Sequence, residues 1–254
     1  MSSEIISISH ETIGRNVLVY PMLRKLRVAD IIDQHIPSES EIPVGVVAET
    51  IILSRFSQER VPMYKLSAFC RKNGISALYS IDPAKMNDDR IGRALDAMHD
   101  ELSSIKAALI VGVIKEFDID LTEIHTDITN ILFEGSYQNL EEGQLQVTYG
   151  HTKKGQDSRC KQVNFSLSVT ADGGVPLWYE SLNGNTNDSI CYLPHLEALD
   201  TELGITSPII VGDSKLVSNS NMIAFCRASA FFIGPASLDK NGKKRLVKLW
   251  EQGA

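Results

Sequence analysis

Cysteine is scarce: Cys70, Cys160, Cys191 and Cys226 are the only four in 254 residues, and no two lie close together. That spacing excludes a zinc knuckle or a paired redox dithiol and leaves the thiols to act as small apolar residues. Missing too is any apolar run approaching the roughly 20 residues that span a bilayer. The stretch from Met1 to His10 lacks the basic-then-apolar layout of a secretory signal. A cytoplasmic location without membrane contact is therefore expected. No internal repeat, low-complexity tract or flexible linker stands out. Nor is there an excess of basic residues: the net charge of −7 argues against a large phosphate-binding surface, because nonspecific DNA affinity comes mostly from clustered Lys and Arg.

What is present is an ordinary globular composition, 43% hydrophobic and 22% charged, enough to bury one or two cores. From Val17 to about Phe117 the apolar residues recur at three- and four-residue steps, which predicts an all-helical domain over residues 1–117. Met22, Leu23, Leu26, Ile31 and Ile32 predict one short helix ending before Pro37; Val44, Val47, Ile51 and Phe56 predict a second. Pro43 and Pro62 stand where helix starts tolerate proline. A longer helix begins at the capping cluster Asn87-Asp88-Asp89 and runs through Ile91, Leu95, Met98, Leu102, Ile105 and Leu109, an amphipathic stripe suited to packing on the other helices.

After Asp118 the texture changes. Glu123 to Phe133, Val163 to Thr170 and Val175 to Glu180 are β-type runs, the last two joined by the hairpin signal Asp172-Gly173-Gly174. A helix from about Cys191 to Leu203, a short strand Pro208 to Val211, a helix Asn219 to Ala228 and a strand Phe231 to Ile233 complete the order. Three antiparallel strands followed by alternating helix and strand is the layout of ribonuclease H-like folds. The expected class is α+β: an all-helical N-terminal domain, then over residues 118–254 a partial ribonuclease H-like α/β core with a mixed sheet. In that layout the fourth strand lies beside the first, bringing Asp127 in strand one near Asp213 at the end of strand four.

Asp127 stands in His125-Thr126-Asp127-Ile128-Thr129, in the middle of a core strand where an unpaired carboxylate is costly to desolvate. A divalent cation would compensate, since Mg²⁺ binds through one or two carboxylates plus water and phosphate oxygens; a turn or hydrogen bond is the structural alternative. Asp213 follows the apolar run Ile209-Ile210-Val211-Gly212 and projects from a strand's C-terminal edge, where ligands commonly bind, although Asp213-Ser214 also reads as a loop start or helix cap. His125 shares a face with Asp127, as a packed or hydrogen-bonded residue or as a ligand. Lys153, Lys154, Arg159 and Lys161 form a local basic cluster, suited either to DNA phosphates or to a solvated hairpin tip. Lys240, Lys243, Lys244, Arg245 and Lys248 offer the same choice near the C-terminus. Asn185 and Asp188 shape a turn ahead of the helix or orient a catalytic residue.

Several ordered blocks carry a family resemblance. Asn87-Asp88-Asp89-Arg90-Ile91-Gly92-Arg93-Ala94-Leu95-Asp96 resembles the hallmark of the helical amino-terminal domain of one large group of DDE-type insertion-sequence transposases. His125 to Thr129 resembles their first catalytic strand, Tyr149-Gly150-His151-Thr152-Lys153 and Lys161-Gln162-Val163 their next strand entry, and Asp172 to Leu177 their hairpin. Tyr179-Glu180 with Gly184 to Ser189 resembles the loop before their helix. Val211-Gly212-Asp213-Ser214 resembles the second catalytic strand, usually written with Ala where this chain has Gly212.

The resemblance implies that Asp127 and Asp213 are the first two acids of a DDE triad. Such a triad binds two Mg²⁺ or Mn²⁺ ions for phosphodiester hydrolysis and strand transfer, with water or a DNA 3′-hydroxyl as nucleophile; paired ions of this kind sit about 3.5–4 Å apart. It implies DNA partners, at element ends and target, and either a homo-oligomer or pairing with full-length transposase. The third acid of that family is a glutamate on a later helix, after a β-rich insertion, and Glu251 stands too close behind Asp213 for the role. The expectation is a C-terminally truncated chain, inactive alone. Two other readings stay open: a noncatalytic DNA-binding or inhibitory module derived from a transposase, and a complete small ribonuclease H-type nuclease drawing a further acid from Glu123, Glu134 or Glu180.

Overall fold

The structure is a computed structural model that describes residues 10–137, 144–150, 159–235 and 248. It divides into two compact units, Met1–Phe117 and Asp118–Ala254. Among the described residues no helix is long and apolar enough to cross a membrane.

The first unit is helical: α1 (Asn16–Lys25), α2 (Val28–His35), α3 (Val44–Arg55), α4 (Leu66–Lys72), α5 (Ile75–Tyr79), α6 (Asp88–Asp100) and α7 (Leu102–Phe117). The single helix expected across Met22 to Ile32 is in fact two. Arg27 takes a left-handed conformation at φ 54°, which ends α1 and turns the chain so that Leu23, Val28 and Ile32 all reach the core. Pro43 stands at the N-cap of α3 and Pro62 at that of a 3₁₀ turn, where a missing N–H costs nothing.

The long helix expected from Asn87 onward is likewise divided. Asn87 does cap α6, accepting from the Arg90 N–H at 2.9 Å, but the helix stops at Glu101 and α7 starts one residue later. Asp100 and Glu101 then lie at the positive end of the α7 dipole, where acids are favoured, instead of inside one continuous helix. The break also interrupts the stripe: Ile91 and Ile105 are buried while Leu95 and Leu102 are exposed.

Helices α2 and α3 meet at backbone distance. Gly45 lies against Ala29, where an added Cβ would stand 2.3 Å from the carbonyl oxygen. The contact is reinforced by two acids. Asp33 accepts from the Gly45 N–H at 2.7 Å, and the fully buried Glu49 accepts from the Ala29 N–H at 2.9 Å and from the Tyr79 hydroxyl at 2.6 Å. Glu49 thus satisfies an open donor in the first turn of α2. Burial, and secondarily the bond to Glu49, push the Tyr79 phenol above its ordinary range.

The second unit contains β1 (Glu123–Phe133), β2 (Lys161–Thr170), β3 (Pro176–Asn183), α8 (Tyr192–Thr201), β4 (Ile209–Val211), α9 (Asn219–Arg227) and β5 (Phe231–Ile233). The sheet order is β3-β2-β1-β4-β5. β1, β2 and β3 pair antiparallel, whereas β4 is parallel to β1 and β5 parallel to β4. That order and those directions define a ribonuclease H-like α/β core with a mixed sheet, so the chain as a whole is α+β. The β2–β3 turn uses Gly173 and Gly174 at φ 73° and 62°, a conformation open to glycine without strain.

Both helices of this unit cover one face of the sheet. His195 of α8 bonds to Ser166 and Ser168 of β2, and Phe225 of α9 packs on Phe232 of β5 with ring centroids 5.4 Å apart. Ile124, Ile128 and Ile210 are buried on that face. β2 is inverted relative to simple patterning, since its polar residues Gln162, Asn164, Ser166, Ser168 and Thr170 are all buried, with Val163 its one buried apolar residue. Phe165, Leu167 and Val169 point to the other face and are only half-buried. Several of the buried polar side chains satisfy one another: Thr126 with Ser168 at 2.7 Å, Ser166 and Ser168 with the two ring nitrogens of His195 at 2.7 Å each, and Asn130 with Asn164 at 3.0 Å. Burial without such partners would cost about 1–3 kcal/mol per group.

Candidate functional site

The strand alternation of β1 decides where Asp127 points. Ile124, Thr126, Ile128 and Asn130 are buried under the helices, while His125, Asp127 and Thr129 are exposed on the opposite face. The desolvation argument for Asp127 is therefore corrected: its carboxylate is in solvent contact, because α8 and α9 cover only the other side of the strand. One carboxylate oxygen, Oδ1, accepts from the Ile128 N–H at 2.8 Å.

Asp213 lies two residues beyond the last paired residue of β4. The parallel ladder joins Glu123 to Ile209, Ile124 to Ile210 and His125 to Val211. Asp213 thus stands in the loop that follows β4, while Asp127 lies inside β1, two positions beyond His125, the last residue that pairs with β4. Asp213 is exposed, and its Oδ1 accepts twice, from the Tyr192 hydroxyl at 2.9 Å and the Lys215 N–H at 2.9 Å. The loop start and the projecting acid are thus the same feature: Oδ1 closes the Asp213–Lys215 turn while Oδ2 has no protein donor among the described residues.

The other candidates separate from this pair. His125 is exposed and bonds through Nε2 to Glu123 Oε1 at 2.9 Å. Glu123 itself stands four residues from Asp127, about 13 Å along the strand. Glu180 pairs with Ser166 across the β2–β3 ladder, on the helix-covered face away from Asp127, and accepts weakly from the Trp178 indole at 3.4 Å. Among the described residues no group of three or more His, Cys, Asp or Glu forms a metal-binding cluster. The donor set at the pair is two carboxylates, the kind that holds Mg²⁺ or Mn²⁺ when water and phosphate oxygens complete the shell.

Of the basic cluster, Lys153 and Lys154 lie outside the described residues, as do Glu251 and the C-terminal basic residues other than Lys248. Arg159 is exposed. Lys161 donates to the carbonyls of Ser136 and Tyr137 and so ties the end of β1 to β2. In the loop ahead of α8, Asn187 is the turn-forming residue, its Oδ1 accepting from the Ser189 N–H at 3.0 Å.

Sequence reasoning missed Tyr192 and His195. Both sit in the segment Tyr192-Leu193-Pro194-His195, where they read as ordinary amphipathic helix residues, and only their partners on other elements reveal a role. Tyr192 is 3% exposed. Its phenol is pushed above the ordinary tyrosine range, first by burial and then by the bond to Asp213; it remains a donor at all physiological pH.

Residues 8–114 match a family described as a domain of unknown function, DUF4277. No curated protein matches the chain. Among solved structures, a pre-cleavage Mos1 transpososome is similar at 10% identity over 96% of this chain and 91% of that one, with a TM-score of 0.30. The Mos1 strand transfer complex is similar at 11% identity over 96% and 90%, also at 0.30. A Mos1 transposase paired-end complex with left transposon end follows at 12% identity over 84% and 71%, at 0.30.

Proposed function

We propose that the Asp118–Ala254 unit is the core of a DDE-type DNA transposase of insertion-sequence type, and that Asp127 and Asp213 are two of its metal-holding acids. One observation supports the reading: β4 runs parallel beside β1, the strand that bears Asp127, and Asp213 follows the last paired residue of β4, Val211, by two positions. Among the described residues, each has one oxygen turned to a protein donor and a second that is not. Mg²⁺ or Mn²⁺ held there would supply Lewis-acid stabilisation to the attacking and leaving oxygens of a phosphodiester. The chain's own contribution would be to fix one carboxylate on β1 and the other in the turn after β4, both exposed to an incoming DNA backbone.

A pair of acids is a weaker site than a triad, so the chain alone is expected to bind the ion without cutting DNA. The test is twofold. Mn²⁺ titration of purified protein should show binding that Asp127→Ala and Asp213→Ala each abolish, and incubation with supercoiled plasmid and Mg²⁺ or Mn²⁺ should leave the plasmid intact. Binding insensitive to both substitutions refutes the site; metal-dependent nicking abolished by either substitution refutes the inactivity.

A second reading, a DNA-binding or inhibitory module without catalysis, is favoured by one feature of the helical unit. A cleft of about 540 Å³ there is lined by His10, Arg15, Arg60, Lys65 and Lys72 against a single acid, Glu59. None of the ion pairs among the described residues engages these four Arg and Lys residues. In a chain of net charge −7, this is a local reversal of sign suited to phosphate. Gel shifts at low salt test it: Arg15→Glu with Arg60→Glu should weaken DNA binding across all sequences and flatten its salt dependence. Unchanged binding removes the cleft from consideration.

A further inference from the structure

Asp213 is held by a contact from α8 that only the tertiary structure creates. Tyr192, the first residue of that helix, is buried beneath the loop after β4, and its hydroxyl donates to Asp213 Oδ1 at 2.9 Å. The Lys215 N–H donates to the same atom at 2.9 Å. A carboxylate oxygen has two lone-pair directions, so Oδ1 is fully committed to protein donors. The side chain cannot rotate without breaking at least one of these bonds.

Gly212 belongs to the same device. A Cβ at this position would lie 2.8 Å from Tyr192 Cε1, 3.0 Å from its hydroxyl oxygen and 3.1 Å from Leu216 Cδ2. Those distances are shorter than side chains tolerate, and the ring is walled in by burial. Glycine here is the condition for the phenol to reach Asp213; any larger residue displaces the ring from the carboxylate.

We infer that Tyr192, with Gly212 making room for it, is the positioning residue of Asp213, fixing Oδ1 so that Oδ2 is the oxygen offered to a divalent cation. This rests on the metal-holding role proposed above for the Asp127–Asp213 pair. Hydrogen-bond partners behind metal-bound carboxylates hold ligand orientation, and their loss typically lowers metal affinity about 10–100-fold.

The experiment is Mn²⁺ titration of the full chain followed by electron paramagnetic resonance of free Mn²⁺, with thermal unfolding measured on the same samples. Tyr192→Phe, which removes only the hydroxyl, should weaken binding about 10-fold or more while unfolding at nearly the wild-type temperature. Gly212→Ala should lose affinity to the same degree, and Gly212→Ala combined with Tyr192→Phe should lose no more than either alone, because both act on one hydrogen bond. Should Gly212→Ala fail to fold, Tyr192→Phe decides by itself. Wild-type binding that Asp127→Ala abolishes but Tyr192→Phe leaves within about twofold overturns this inference and leaves the metal site standing; additive losses in the double variant also overturn it. Absence of Mn²⁺ binding by the wild type, or binding that neither aspartate affects, overturns the metal site itself and this inference with it.

Discussion

Replacing Gly45 with alanine sets two physical effects against each other, and their signs differ. Gly45 is the second residue of α3, and helix propensity alone predicts that alanine there stabilises by up to ~1 kcal/mol. Packing predicts the reverse. The new Cβ would stand 2.3 Å from the Ala29 carbonyl oxygen, 2.6 Å from Ala29 Cα and 2.8 Å from Ala29 C. All three atoms are backbone, so no side chain can swing aside. To recover ordinary contact, α2 and α3 must part by about 1 Å, and overpacking of this kind costs about 1–3 kcal/mol. The same displacement stretches the bonds from Ala29 N–H to Glu49 and from Gly45 N–H to Asp33, now 2.9 and 2.7 Å. Hydrogen bonds to charged groups contribute about 1.5–3 kcal/mol. The net expectation is a loss of about 2–4 kcal/mol, a large share of the ~5–15 kcal/mol that stabilises a domain. Urea denaturation followed by far-ultraviolet circular dichroism measures it. Gly92→Ala in α6 is the matched control: nothing lies within 4 Å of its added Cβ, so propensity acts unopposed and stability should rise by up to ~1 kcal/mol. A Gly45→Ala protein as stable as the wild type, or more so, would refute the close α2–α3 contact.

Other perturbations are as specific. Burial raises the Asp33 carboxyl above its ordinary value of 3.8, opposed by the Gly45 N–H and aided by Asp30. The native chain therefore keeps that proton longer than the unfolded chain, and the group's contribution to stability falls as pH rises from about 3.8 toward the raised value; Asp33→Asn should remove this slope from a pH series of denaturation curves, and an unchanged slope counts against the assignment. His195→Phe keeps most of the ring volume but leaves the buried hydroxyls of Ser166 and Ser168 without the ring nitrogens at 2.7 Å, so a loss of about 2–4 kcal/mol is expected; a neutral outcome in calorimetry would mean that packing, not hydrogen bonding, holds α8 to the sheet.

Much of the second unit was legible because its strands are set off by strong turn signals and, in β1, β2 and β4, carry β-branched residues. Glu123 to Phe133 and Phe231 to Ile233 occupy the spans expected of them, and Asp172-Gly173-Gly174 makes the turn its glycines require. The helical unit was less legible at its breaks. Nothing local at Arg27 forbids continuing a helix; its left-handed conformation follows from bringing Leu23 and Ile32 into one core. At Glu101 the acids favour a new helix start, yet the apolar stripe runs through the break and hides it. The face assignments were misleading for a different reason. Period-two alternation tells which residues share a face, but not which face is covered. In β2 the covered face proved to be the polar one, and in β1 the face bearing Asp127 proved to be exposed.

The sequence by itself determined the helical character of the first unit and the order of strands and helices in the second, and with them the α+β class. It also marked Asp127, within one strand, and Asp213, just after another, as acids carried by strands that this order makes neighbours. Only the tertiary structure decided that β4 lies parallel beside β1, that Asp127 lies on the face α8 and α9 do not cover, and that Tyr192 reaches Asp213 beside Gly212. Those are contacts between residues far apart in the chain, and local propensity carries no record of what another element will bring to the same point in space.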